Sequence, residues 1–477
     1  MSRITTNIPA VVSQRHLAIA QNDLRVSLER LSSGLRINRG ADDPAGLIVS
    51  ERLRSEVGAV RQSIHNSERA INVIATTEGA LSEVNALLND INALLIEAAN
   101  RGAFSDEEVA ANQLQIDSAI DSINRIANTT TFAGRKLLDG SLDYVTSGVV
   151  YTDLADVQVL GAKFGSRDYI DVELEVTSAA EHAQLEYTGA GIGASAVTID
   201  LQGPDGVATL SFPASATAND IVEAVNTQSD ATGVVASATG GGVVFRTEGY
   251  GSDQFVQIKE VYGSAPFVVT DPLAGGAIRS RAYGHDAEGT INGAPTVGDG
   301  LVLQLNSFLL DVQITLDEDF GIGSTEFAIT DGGSLFQLGP RINTNQQENI
   351  GVRAMHANKL GNRIVGFLSE LQDGQRLCLR NVRELQTASD VVNLAIDQVS
   401  ILRGRLGAFE RNTLQANIGQ LQITAENLTS SESVIRDTDF AEETTELTRA
   451  QVLVQAGNSI LAIANAQQQN VLTLLGA

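Results

Sequence analysis

The feature that most constrains this chain is where its prolines are missing. None lies between Pro44 and Pro204, and none follows Pro340. Proline inside a helix removes a backbone donor and clashes with the preceding turn, so these two gaps permit long uninterrupted helices. Apolar residues recur at helical spacing through the same stretches. Leu17, Leu24, Leu28, Leu31 and Leu35 form a first stripe. Ser32-Ser33-Gly34 breaks it, and Asp43-Pro44 restarts a helix, with Asp43 as the expected N-cap and Pro44 at the first helical position. Leu53, Val60, Ile74, Leu81, Leu88 and Leu95 then follow at heptad spacing, interrupted by Ser67, with Val57, Ile64 and Ile71 at the alternate seam position. Ile116, Ile120, Ile123 and Ala127 predict a third helix.

The other end is more regular. Leu385, Ala388, Val392, Ala395, Val399, Leu402, Leu406 and Phe409 alternate steps of three and four, and the spacing continues to Ala416 and Ile423. A helix over about 380–430 would run about 75 Å at 1.5 Å per residue, longer than a compact domain is wide. Leu447, Ala450, Val454, Gly457, Leu461, Ala464 and Leu475 repeat the device in the last segment. These are the seams of coiled-coil helices, each needing a partner for its apolar stripe.

Residues 141–340 differ in kind. They hold 27 of the 44 glycines and 6 of the 8 prolines, and 6 basic against 27 acidic groups. The flanks are nearly neutral, with 14 basic and 17 acidic groups in 1–140 and 12 and 14 in 341–477. Most of the net charge of −26 therefore sits in the middle, which suits a solvent-facing surface and opposes nucleic-acid binding. Val197–Leu201 and Ala208–Phe212 alternate like strands around the turn 203–206, and Asn219-Asp220 caps a short helix to about Asn226. Strand patterns resume at 243–245, 255–258, 301–305 and 312–316. The expected fold is mainly α at both termini, in long antiparallel helices of a coiled-coil bundle, with an inserted β-rich or α+β outer region. That region divides on this reading into 146–265 and 266–340.

Chemistry is sparse. The five histidines, His16, His65, His182, His285 and His356, are scattered and form no metal motif. Gly189-Ala190-Gly191-Ile192-Gly193 opens a strand rather than a helix, so it lacks the helix dipole of a phosphate loop. Asp317-Glu318-Asp319 lacks the ligand spacing of a calcium loop and reads as solvated charge. Cys378 is the single cysteine, which excludes an internal disulfide and reads as a small buried side chain. No apolar run approaches the roughly 18–20 residues of a membrane span, and Met1 to Asn22 lacks the pattern of a cleaved secretory signal. No catalytic residue, cofactor or metal site is indicated.

Several motifs carry a resemblance. Residues 29–38, Glu-Arg-Leu-Ser-Ser-Gly-Leu-Arg-Ile-Asn, and 42–47, Asp-Asp-Pro-Ala-Gly-Leu, resemble those of bacterial flagellin, the subunit of the flagellar filament. So do the hairpin-like segment Thr129 to Gly140, the run Ser431 to Asp439, and the tail Asn470-Val471-Leu472-Thr473-Leu474-Leu475. A weaker similarity, over about 190–260, is to a strand–helix unit of flagellin and hook-related outer domains.

The resemblance implies a helical homopolymer for motility, outside the cell, exported unfolded without a cleaved signal. It implies an inner layer from 1–42 with 438–477, a second layer with a β-hairpin from 43–145 with 341–437, and an outer insertion over 146–340. The inner assembly residues would be Leu17, Leu24, Leu28, Leu31, Leu35, Leu447, Val454, Leu461, Leu472 and Leu475. The second seam would use Leu53, Val60, Ile74, Leu81, Leu88, Leu95, Leu385, Val392, Val399, Leu402, Leu406 and Phe409. Implied partners are a flagellar export chaperone, the filament cap protein and hook-associated proteins, with no nucleic acid and no membrane insertion. Asn89, Asp90 and Leu94 replace a Gln-Arg-x-x-x-Leu segment that animal innate receptors read in many flagellins. Phe336-Gln337-Leu338-Gly339 resembles a strand motif usually met soon after Leu-Leu-Asp-Gly. The alternatives are a hook–filament junction protein, sharing the same end pairing, and an enzyme displayed on a filament, which would need a metal site or an acid–base cleft in the middle.

Overall fold

The computed structural model describes residues 6–100, 102, 105–165, 167–189, 191–263, 267–381 and 384–475, the side chains of 468–475 excepted. Its α-helices are α1 (Ile8–Ser33), α2 (Pro44–Ala99), α3 (Asp106–Thr129), α4 (Ala218–Asn226), α5 (Ser229–Thr232), α6 (Leu385–Ala408), α7 (Ala416–Arg436) and α8 (Phe440–Leu475). The chain falls into two units, one of Met1–Arg69, Gln337–Ile342 and Arg411–Ala477, the other of Ala70–Phe336 and Asn343–Glu410.

In the first unit α1 ends where the sequence dictates. Gly34 takes the left-handed conformation at φ 73° and returns its N–H to Arg30 O. The Asp43 carboxylate accepts the Gly46 N–H at 2.9 Å, so α2 starts at Pro44 as expected. The first part of α2 runs antiparallel to α7, tied by Arg436–Glu51 at 2.8 Å and by Asn417 Nδ2 donating to Ser67 Oγ at 3.3 Å. Segment 337–342 belongs here too. Leu338 is buried, Asn417 donates to its carbonyl, and Asn66 donates to that of Gln337.

Two details of the helical pattern differ from the sequence expectation. Ile64 and Ile71 are only half buried, whereas Ser63, Ala70, Thr77, Val84, Ile91 and Ala98 are buried and complete a strict three–four alternation with Val60, Ser67, Ile74, Leu81, Leu88 and Leu95. Polar residues fit because their hydroxyls bond back one turn: Ser63 Oγ to Ala59 O, Ser67 Oγ to Ser63 O and Thr77 Oγ1 to Val73 O, at 2.8–3.0 Å. The second difference lies between α6 and α7, where Phe409–Gln415 winds as a π-helix. Its wider turn shifts the inward stripe, so Leu414 and Leu421 are buried while Ala416 is exposed and Ile423 is 62% exposed.

The second unit contains the rest of α2, α3 and α6, and the outer β region. A two-stranded hairpin, Thr131–Phe132 with Arg135–Lys136, turns through Ala133 and Gly134, both at positive φ. Beyond it the β region holds two cores. The flanking core lies between a five-stranded sheet (Ala294–Pro295, Glu288–Ile291, Ile170–Ser178, Gly323–Gly332, Tyr144–Ser147) and a four-stranded sheet (Val297–Asp299, Val302–Asn306, Leu310–Leu316, Leu154–Ala162). Along Ile170–Ser178, Val172, Leu174 and Val176 point inward while Asp171, Glu173 and Glu175 are exposed, so acidic charge occupies the solvent face.

The nested core, centred on Phe245, lies between strands Ala277–Ile278, Val269–Asp271, His182–Tyr187, Gly242–Tyr250 and Val234–Thr239 and strands Arg281–Tyr283, Phe255–Tyr262, Val197–Gln202 and Val207–Phe212. It is inserted between the two halves of the flanking core, rather than following it at 265/266 as the sequence reading has it. Antiparallel pairing of Ile170–Ser178 with both Glu288–Ile291 and Gly323–Gly332 requires that arrangement. The helix α4 is capped by Thr217 in a reciprocal box with Asp220, two residues earlier than Asn219 suggested.

Candidate assembly interface

Among the described residues no group of three His, Cys, Asp or Glu side chains could hold a metal ion, and no helix is long and apolar enough to cross a membrane. The surface that asks for a partner is on the first unit, where α1 and α8 pair antiparallel. Four contacts mark one register. Asn7 Nδ2 donates to Ala464 O at 3.0 Å, Leu17 packs on Gly457, Arg30 meets Glu443 at 3.4 Å, and Thr438 N–H donates to Gly34 O at 3.0 Å. Leu35 then bridges to Asp437, and Arg36 donates from its backbone N–H to Arg436 O at 2.7 Å and from its guanidinium to Ile435 O at 2.6 Å. A Cβ on Gly457 would sit 3.2 Å from Leu17 Cδ1, so glycine sets the close approach of the helices.

This pair buries little of its apolar surface. Ala10, Ala20, Ala450 and Ala464 are buried, but Leu17, Leu24, Leu31, Leu447, Val454 and Leu461 are only partly covered. Leu28 lies at the edge of the same stripe and is 50% exposed, and Leu35 lies past the helix end. The side chains of Leu472 and Leu475 lie outside the described residues. More apolar groups face outward: Ile8, Val11, Val12 and Ile19 on α1, and Val452, Leu453, Ile460 and Ile463 on α8. Ile19 and Ala20 face Leu453, Gly457 and Ile460 across an open groove edged by His16 and Asp23. Two helices can each bury one stripe against the other. A helix apolar on further faces is built for a larger assembly.

The second seam is a packed counterpart. In the second unit Ile74, Leu81, Leu88 and Leu95 on α2, and Val392, Val399, Leu402 and Leu406 on α6, are buried, with Leu385 and Phe409 half buried. Polar pairs along the edge fix the antiparallel register: Glu78–Arg403 at 3.9 Å, Asn85–Ser400 at 3.5 Å and Asn92–Asn393 at 3.3 Å. In the first unit Val60 is buried and Leu53 half buried. Asn89 and Asp90 are exposed on α2 and Leu94 is half covered. Buried Gln113 on α3 escaped the sequence reading. Its amide donates to Leu371 O and accepts the Leu379 N–H, both at 2.8 Å, which anchors the loop carrying buried Cys378. The outward set on α8 also escaped it, although its β-branched residues beside the main stripe were the available signal.

Three family models match the chain: the bacterial flagellin N-terminal helical region over residues 4–143, the bacterial flagellin C-terminal helical region over 389–475, and the flagellin hook IN motif over 198–249. The chain is similar to a flagellin of Salmonella rubislaw, 29% identical over 502 aligned positions with 99% of each chain covered. It is also similar to polar flagellin F of Vibrio parahaemolyticus, 28% identical over 473 positions with 99% of each covered. Among solved structures, the flagellar cap protein FliD of Escherichia coli (D1-D2-D3 domains) covers 45% of this chain and 64% of that one, at 16% identity and a TM-score of 0.28, too loose a likeness to carry an argument.

Proposed function

The chain belongs to the bacterial flagellin family and is a subunit of the flagellar filament, and from that premise we propose that the α1–α8 pair is its polymerising element. The observation that carries this is the outward apolar set of Ile8, Val11, Ile19, Val452, Leu453, Ile460 and Ile463, which the pair alone leaves in water. Covering each large aliphatic side chain gains roughly 1.5–3 kcal/mol before ordering costs. Different patches meeting on successive copies make a head-to-tail contact, which yields an open helical filament when the rotation does not close.

In this reading 1–42 with 438–477 form the inner layer, 43–145 with 341–437 the layer around it, and 146–340 the acidic exterior. The end helices are largely unfolded in the free monomer and fold on assembly, because an isolated pair with so little burial is marginal in water. The chain passes unfolded through the flagellar secretion channel without a cleaved signal, and no catalytic step enters its role. An export chaperone binds the C-terminal helices, the cap protein meets the growing tip, and hook-associated proteins meet the base. Asp90 in place of an Arg weakens animal receptor recognition, and ordinary receptor activation in a cell-reporter assay would overturn that point.

The test is regrowth after acid dissociation and neutralisation, followed by electron microscopy and sedimentation. Full-length protein is expected to regrow long filaments, and a chain lacking 440–477 to remain a soluble monomer. Normal filaments from the truncated chain would refute the assignment. Short, non-extending assemblies from the full chain would favour a junction protein, a reading the family matches do not favour.

A further inference from the structure

The nested and flanking outer cores are joined by two crossings of the chain, 178–182 and 283–288. Bodies joined by short linkers move relative to each other unless something holds them. Here both crossings are tied. Glu181 and His285, one on each, exchange backbone hydrogen bonds of 2.8 and 3.0 Å, and the Glu181 carboxylate lies 3.0 Å from His285 Nδ1. Beside them, Asp286 bonds to a loop of each core. Its Oδ1 accepts the N–H of Ser252 and that of Gly300, each at 2.8 Å, and its Oδ2 accepts the Ser252 hydroxyl at 2.5 Å. Ser252 lies in the turn between Gly242–Tyr250 and Phe255–Tyr262 of the nested core. Gly300 lies in the turn between Val297–Asp299 and Val302–Asn306 of the flanking core.

Packing at the joint agrees. A Cβ on Gly251 would lie 2.6 Å from Asp286 Oδ1 and 2.8 Å from Gly300 Cα, so the backbones of the two cores meet with no side chain between them. Gly300 itself sits at φ 57°.

We propose that Asp286 is the pin that locks the nested core onto the flanking core in one orientation. Charge-assisted bonds to two backbone donors and a hydroxyl are stronger than neutral ones, and they are placed where a small rotation would break them together. Burial pushes the Asp286 carboxyl up, but the bonds from Ser252 and Gly300, with His285 nearby, leave it below its ordinary value, so the carboxylate form persists at neutral pH. A subunit pinned in this way would present the same outer surface at every position of a polymer.

The experiment uses full-length monomer, a glutamate-specific protease that cuts after Glu181 or Glu288, and small-angle X-ray scattering. Wild type should resist cleavage at the crossings. Asp286→Ala should be cut there about tenfold faster, a loss of about 1.4 kcal/mol of closure, with a broader distribution of dimensions. Asp286→Asn, whose amide oxygen still accepts both backbone N–H groups, and Ser252→Ala, which loses one bond, should fall between. Wild-type cleavage and scattering in Asp286→Ala would overturn the pin. If that variant unfolds throughout, wild-type rates in both Asp286→Asn and Ser252→Ala would overturn it instead.

Discussion

The α1–α8 pair and the α2–α6 seam are written in the same heptad language and meet different fates. Leu88 is fully buried, whereas Leu24 is half covered and Ile460 is 54% exposed. The difference is the number of neighbours each helix has within its own chain. Beside α6, the 3-10 turn Leu368–Leu371 packs on both α6 and α3; Gln113 bonds the loop at 371–379, and Ile116, Ile120 and Ile123 are fully buried. Among the described residues, the pair α1–α8 packs mainly on itself, with the turn at 34–39 and its bonds to 435–438 at one end. A heptad repeat therefore announces that a face needs a partner, without saying whether the partner lies in the same molecule.

That contrast can be tested by substitution. Leu88→Ala opens a cavity in a filled seam and should lower the unfolding free energy by about 2–5 kcal/mol, measured by urea denaturation of the monomer. A loss no larger than that of Leu24→Ala would erase the distinction between the two regions. Ile460→Asp should leave the monomer's urea midpoint unchanged. It should raise the concentration needed for polymerisation more than about tenfold, because assembly would bury an unpaired charge. Unaltered polymerisation would remove the outward face of α8 from the interface.

Gly457→Val should push α8 off Leu17 at a cost of about 1–3 kcal/mol. Polymerisation thresholds would register this more than monomer stability, and an unchanged threshold would show that the close approach is dispensable. The smallest effect is expected for Leu24→Ala in the monomer, under about 1 kcal/mol, since the end helices that would cover this side chain are largely unfolded before assembly. Its larger effect should appear only in the filament, as faster depolymerisation on dilution.

Much of the helical plan was legible because its signals are local. Gly34 ends α1, Asp43-Pro44 opens α2, and Ile116, Ile120, Ile123 and Ala127 all lie inward on α3. Where the sequence reading missed, the cause was either disguise or distance. Ser63, Ser67 and Thr77 hid one stripe of α2, since hydroxyls that bond back to the preceding turn look polar in sequence yet pack as small side chains. The π segment Phe409–Gln415 moved the inward positions to Leu414 and Leu421, a change no fixed spacing foretells. Individual strands of the middle were visible, but their grouping depends on partners over a hundred residues apart, such as Glu173 with Glu326.

The sequence alone determined that both ends form long helices, that the middle is β-rich, and that its charge faces water. Helix periodicity, capping and proline exclusion act over a few residues, so they can be read directly. Tertiary structure decided which apolar faces are filled within the chain and which stay open. It also decided that the two outer cores are nested, and that a single carboxylate, Asp286, bonds to both. Those outcomes depend on which surfaces meet, and burial is a property of contacts between distant segments rather than of any one of them.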